Sequence, residues 1–308
     1  MADTPGEHTN PRPRTSRVWT WVASAVLVVV LGAMTWLVLQ PDADGVASAP
    51  RTAPAEPSPP PSPTPSPTPS ATPTPAAFAL AALPGPRIDT LLPRELPQAD
   101  VDRLRGLPGS VAQPKADRTP VWARPDVTER PVLALESTYY DAEARWLVLE
   151  RRPGWVRVLV PYGRGALPSQ DPERVNGAAG WLRADDVVLR AEKRSVLIDV
   201  SDRSVVLTRA DGTRESFTAA VGAPETPTPL GLTQVFTVTE AVNTGLTVFL
   251  SMQSESLDGF YGTDYAATAI HVGVDQGLAV SNGCIRLTAS DFERFTDLDP
   301  GVPVLVRA

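Results

Sequence analysis

Two side chains in this 308-residue sequence are suited to act together: Cys284, the single cysteine, and His271, one of two histidines. A thiol is an effective nucleophile only as thiolate, and a neighbouring imidazole can generate or hold that form. His271 lies thirteen residues before Cys284, a spacing that fits two strand ends joined by a short loop. Asn282-Gly283-Cys284 offers successive backbone amides where a tetrahedral oxyanion would form, and Gly283 lets backbone approach a substrate closely. Ser281 is read as supporting the turn. The competing reading is a buried thiol beside a structural histidine. One cysteine excludes an intrachain disulfide, and His8 and His271 are too far apart to build a zinc site with it. No metal or cofactor is expected.

The elements that must position this pair are mainly β. Residues 195–200 and 204–209 flank Asp202-Arg203 as a predicted hairpin. Strands follow at 215–221, 232–239 and 246–253, and the segments 270–272 and 278–280 bracket a polar turn. Thr288-x-x-Asp291 reads as a capped helix start leading into Phe292 and Phe295, before a last strand at 304–306. Tyr261 and Tyr265 precede the histidine strand, where they either pack or line a cleft. Upstream, four short apolar runs between residues 132 and 182 predict a second, smaller β unit.

The first third of the chain reads differently. Residues 1–17 are polar, and residues 18–39 run for 22 positions without a charge. At about 1.5 Å per residue this spans roughly 33 Å, enough for a bilayer core of about 30 Å. Arg12, Arg14 and Arg17 precede it and Asp42 and Asp44 follow, so the positive-inside rule puts the rest of the chain outside the cell membrane. A cleaved signal peptide ending near Ala47-Ser48-Ala49 is the alternative, and both readings export the chain. Residues 40–86 form a Pro/Ser/Thr-rich linker, which favours extended polyproline II and reaches on the order of 100 Å. Residues 87–117 read as a connecting segment. Net charge is −7, with no Lys/Arg cluster in the C-terminal two thirds, which argues against a nucleic-acid partner.

Two resemblances follow from these motifs. Ile270-His271-Val272-Gly273, a short spacer, then Ser281-Asn282-Gly283-Cys284-Ile285-Arg286-Leu287 resembles the signature of the L,D-transpeptidase (YkuD-type) catalytic domain. Gly222, Thr228-Pro229-x-Gly231 and the closing Asp291-Phe292 with Gly301-x-Pro303-Val304 resemble further family segments, so the likeness covers residues 194–308. Residues 118–192, with Ala123-Arg124-Pro125, Val132-Leu133-Ala134-Leu135, Gly154-Trp155-Val156-Arg157-Val158 and Gly180-Trp181-Leu182, resemble a bacterial SH3-like barrel. Such a module either binds cell-wall peptides or positions the enzyme.

The first resemblance implies a β-sandwich-like catalytic domain with a short helix after the cysteine. It implies peptidoglycan stem peptides as substrate and 3→3 cross-linking through a Cys284 thioester, with release of D-Ala. His271 would be the general base, the carbonyl of Val272 would orient it, and Gly283 and Cys284 amides would hold the oxyanion. Arg286 would either anchor the loop or meet a stem-peptide carboxylate. A carbapenem adduct at Cys284 is expected on the same ground. Hydrolysis on the same site and an inactive wall-binding protein are the alternatives. The family commonly has a second histidine before Gly-Cys, where this chain has Asn282, which cannot titrate near neutrality.

Overall fold

A computed structural model describes residues 74–99 and 106–308. The expected tail at 1–17, the anchor at 18–39 and most of the linker at 40–86 lie outside the described residues. Among the described residues, no helix is long and apolar enough to cross a membrane.

The upstream unit is built from β1 (Ser110–Pro114), β2 (Arg118–Val121), β3 (Leu133–Glu136), the short pair β4 (Thr138–Tyr139) and β5 (Ala142–Glu143), β6 (Trp146–Arg152), β7 (Trp155–Leu159), β8 (Ala179–Arg183) and β9 (Val187–Ala191). Five of these form an antiparallel sheet in the order β8-β7-β6-β1-β9. One of its inner strands, β1 between β6 and β9, falls in the segment read from sequence as a connector. The β2–β3 hairpin joins β8 through a bridge between Trp122 and Trp181. Trp146 is fully buried in the core, with Leu133, Leu135, Val158 and Leu182 around it.

The C-terminal unit contains β10 (Ser195–Asp199), β11 (Ser204–Thr208), β12 (Arg214–Thr218), β13 (Val221–Gly222), β14 (Gly231–Ala241), β15 (Gly245–Gln253), β16 (Ala267–Val272), β17 (Ala279–Ser281), β18 (Ile285–Leu287), the short helix α1 (Ala289–Phe292) and β19 (Pro303–Arg307). Burial alternates along β10 and β11, so Val196, Ile198, Val205 and Leu207 face one core while their neighbours face outward. Thr288 caps α1, accepting from Asp291 N at 3.2 Å, and Phe292 and Phe295 then drop into the core.

The expected two-layered sandwich is instead one continuous eight-stranded sheet, ordered β12-β11-β10-β19-β14-β15-β16-β18. The reason lies in β14. Residues 231–234 pair with β19, and residues 235–241 pair with β15, with a register shift at Phe236. A bulge at that point bends the strand, so one strand serves both layers. Ala220, just past β12, exchanges two backbone hydrogen bonds of 3.0 Å with Arg286 of β18. The sheet thereby curls almost closed, and the closing contact lies beside Cys284.

β14 is buried without interruption from Leu232 to Thr237, so both of its faces are covered. Val235 faces the catalytic core, whereas Leu232 packs on Leu147 and Leu159 of the upstream unit. Gln234, fully buried, accepts from Leu147 N at 2.6 Å. The two units therefore share a packed seam rather than a flexible joint.

Candidate active site

β16 and β18 run parallel, with Ile270 opposite Ile285 and His271 opposite Arg286. Residues opposite each other on neighbouring strands share a face, and every second residue returns to it. His271, Arg286 and Cys284, two positions before Arg286, therefore point to one side. Ile270, Ile285 and Leu287 point to the other, into the core. The row continues across the sheet, because Thr247 pairs with His271 and Thr239 pairs with Thr247. All five residues of this face line one cavity of about 780 Å³. Ala267 and Ala269 form its floor beside the cysteine, where small side chains leave room for a substrate.

His271 is 8% exposed, and its Nδ1 lies 2.7 Å from Val272 O. A carbonyl oxygen only accepts, so Nδ1 carries the proton and Nε2 is left as the basic nitrogen. Burial lowers the histidine's pKa, the Val272 carbonyl partly offsets this, and the nearby Arg286 charge lowers it further. Cys284 is partly exposed as a residue, yet burial of its thiol pushes the thiol pKa up, with a backbone hydrogen bond to Ala269 and Arg286 opposing. Its Sγ is directed at Ala267 O, 4.0 Å away. Both shifts favour uncharged forms. Burial thus disfavours the thiolate–imidazolium pair that spacing alone allows.

The turn before Cys284 is held by Ser281, which is 1% exposed. Its Oγ donates to Cys284 O at 2.6 Å and accepts from Gly283 N at 3.1 Å. Gly283 N–H is thus engaged within the turn, leaving the Cys284 amide as the more available oxyanion donor. Gly283 has φ +102°, a region glycine enters freely. Its open side faces Pro227 O, where an added Cβ would lie 3.5 Å away. The Gly222 to Gly231 segment backs this turn: Thr226 Oγ1 donates to Ser281 O at 2.9 Å, and Thr228 Oγ1 accepts from Gly222 N at 2.9 Å.

Arg286 lays its stem across Gly273, where a Cβ would sit 2.8 Å from Arg286 Cδ. Its guanidinium lies 3.7 Å from Asp275, on the turn between β16 and β17. Asn282 is exposed on the rim. Tyr261 is 88% exposed with φ +48°, and lines the cavity together with Phe260 and Tyr265. Sequence reasoning did not anticipate that the cavity lining includes Ile88 and Tyr140, which precede the C-terminal unit. Tyr140 and Asp141 both have positive φ, at 47° and 61°, the signature of a tight hairpin turn between β4 and β5.

Residues 193–306 match the model of the YkuD L,D-transpeptidase catalytic domain. That segment is a YkuD-type L,D-transpeptidase catalytic domain by this match. Among solved structures, an L,D-transpeptidase from Mycobacterium smegmatis is 16% identical, with 50% of this chain and 91% of that chain covered and a TM-score of 0.30. L,D-transpeptidase 3 from Mycobacterium tuberculosis is 16% identical over 50% and 92%, with a TM-score of 0.33. The catalytic domain of the E. faecium L,D-transpeptidase is 22% identical over 37% and 96%, with a TM-score of 0.28. No curated protein matches the chain. Within the matched segment fall His271, Cys284 and the backing Gly222–Gly231 loop, whereas Ile88 and Tyr140 fall outside it.

Proposed function

We propose that the C-terminal unit is a peptidoglycan L,D-transpeptidase that forms 3→3 cross-links through a thioester on Cys284. The observation that carries this reading is the shared face of β16 and β18, which puts Cys284, His271 and Arg286 on one cavity with Nδ1 of His271 tied to Val272 O. The match of residues 193–306 to the L,D-transpeptidase catalytic domain supports peptidoglycan as the substrate.

With both groups shifted toward their uncharged forms, His271 acts as a general base. As the Cys284 side chain rotates from Ala267 O toward Nε2, the thiol proton passes to the imidazole while sulfur attacks the carbonyl before the terminal D-Ala. The Cys284 N–H stabilises the resulting oxyanion. Collapse breaks the C–N bond, and the imidazolium returns its proton to the departing D-Ala amine. The amine of a neighbouring stem then attacks the thioester, loses its proton to His271, and releases the thiol. Arg286 is the single Arg or Lys among the described residues lining the cavity, and it suits the carboxylate of the terminal D-Ala. Glu240 is the single carboxylate there, and suits the ammonium of an incoming acceptor.

In the cell we place this unit outside the membrane, held by residues 18–39 and extended by the linker. A protease-accessible body with an N-terminal fluorescent fusion retained in the cytoplasm would support that topology, and the reverse would refute it. For the chemistry, the exported region is incubated with tetrapeptide stems and the products are resolved by mass spectrometry. Loss of D-Ala with new dimers is expected. Tripeptides without dimers would mean hydrolysis, and full activity in Cys284→Ala would overturn the assignment.

A further inference from the structure

Residues 254–266 form a loop between β15 and β16 that places Phe260, Tyr261 and Tyr265 along the cavity. The loop is tightly wound on itself. Phe260 N donates to Tyr265 O at 3.0 Å, and Gly259 has no room for a Cβ against Thr263 O. Its attachment, however, lies outside the catalytic unit.

Arg164, between β7 and β8 of the upstream unit, is 1% exposed. Its Nη2 donates to Asp258 O and Asp264 O, at 2.7 Å each, bridging the two sides of the loop. The Asp258 carboxylate accepts from Ser169 N at 3.0 Å and from Ser169 Oγ at 2.7 Å. Asn176 grips the loop's root: Nδ2 donates to Gln253 O at 2.8 Å, and Oδ1 accepts from Gln253 N at 2.7 Å. Gln253 ties the two ends together, donating to Ile88 O at 2.7 Å and accepting from Ala266 N at 3.1 Å.

Removing a guanidinium from water to this degree is expensive unless partners repay it. Nε and Nη1 of Arg164 have no hydrogen-bond partner, and the guanidinium's hydrogen bonds go only to the loop. Nothing in the upstream unit's own core uses that charge. The nearby carboxylates of Asp258 and Asp264 supply the balancing field.

We propose that Arg164 is a positioning residue for the Cys284 cavity: the upstream unit clamps loop 254–266 through it and thereby sets the affinity for the stem peptide. The upstream unit is then part of the enzyme's substrate grip, whether or not it also touches the cell wall. The kinetic arm of this proposal rests on the transpeptidase reading, and the structural arm does not.

The test compares the full chain with its Arg164→Met variant by hydrogen exchange, donor kinetics and Cys284 alkylation with iodoacetamide. Loop 254–266 should exchange at least about tenfold faster. KM for a tetrapeptide donor should rise about tenfold with kcat within about twofold, and alkylation should be unchanged, because the clamp acts on binding and not on the thiol. Wild-type exchange in the loop, or a loosened loop with unchanged KM, would overturn the proposal. If the variant does not fold, Ser169→Ala removes only a rim contact and should shift exchange and KM in the same direction; no change in either would overturn the proposal. Should the wild type turn over no stem peptide, the transpeptidase reading fails alone, and calorimetric affinity for the tetrapeptide replaces KM with the same two outcomes.

Discussion

Ser281→Ala tests how the nucleophile's turn is held. The substitution deletes one oxygen that serves two groups, accepting from Gly283 N at 3.1 Å and donating to Cys284 O at 2.6 Å. A buried polar group left without a partner costs about 1–3 kcal/mol. Gly283 is buried, so its N–H is assigned about 2 kcal/mol by that scale, and the carbonyl of partly exposed Cys284 about 1 kcal/mol because water can reach it. The sum, about 3 kcal/mol, corresponds to roughly two decades in a rate if the turn must be formed when sulfur attacks. Spent on global stability instead, it would lower Tm by roughly 6–12 °C in a folded region of this size. Acylation of Cys284 by a carbapenem, followed by intact-mass spectrometry, should therefore slow between about 10- and 100-fold. Parallel thermal scans divide the loss between chemistry and folding. A variant that acylates at the wild-type rate with an unchanged Tm would refute the account of Ser281 as the clasp of this turn.

Four other outcomes are expected. The rate of Cys284 alkylation should climb only as pH rises above the ordinary thiol range, with no plateau at low pH, because burial raises the thiol's pKa and lowers that of His271; thiolate absorbance at neutral pH would contradict this. The same depressed histidine should cost stability as pH falls below the unfolded histidine value, since the unfolded chain then binds the proton more tightly, and pH-dependent thermal scans of His271→Gln should lose that slope. Gly273→Ala should displace the Arg286 stem, costing about 1–3 kcal/mol by overpacking, and a Tm equal to wild type would show that the arginine has room to move. Glu215, held at about 2 by Arg294 and Arg209, contributes stability that is present above the ordinary carboxylate value and lost as pH falls toward about 2; Glu215→Gln should flatten the acid limb of a Tm-against-pH profile.

Much of the candidate site is legible in the sequence, because its chemistry is carried by rare residues at short range. One cysteine, one nearby histidine and a glycine directly before the cysteine leave few arrangements. The strands with alternating burial, such as β10 and β11, were legible for the same local reason. The short strand β18 was not, since three residues carry no periodicity and its parallel partner is set by tertiary pairing. The resting protonation state was also out of reach, because it depends on burial by residues distant in sequence. The single bent sheet is not legible in the sequence, because β14 reads as one strand of mixed polar and apolar residues and the bulge at Phe236 leaves no mark in composition. The wall formed by Ile88 and Tyr140, and the reach of Arg164, arise from contacts across roughly a hundred residues, as with Arg164 and Asp264.

The buried hydrogen bond from Leu147 to Gln234 joins residues 87 apart in the chain. Until β14 has been delivered, the upstream sheet carries an unsatisfied amide and a bare apolar flank at Leu147 and Leu159. The two units, separable as text, are therefore expected to unfold together, and a fragment that begins at residue 193 would carry Leu232, Gln234 and Phe236 on its outside. Transplanting this catalytic unit onto another carrier would require either bringing residues 74–192 with it or redesigning one face of β14.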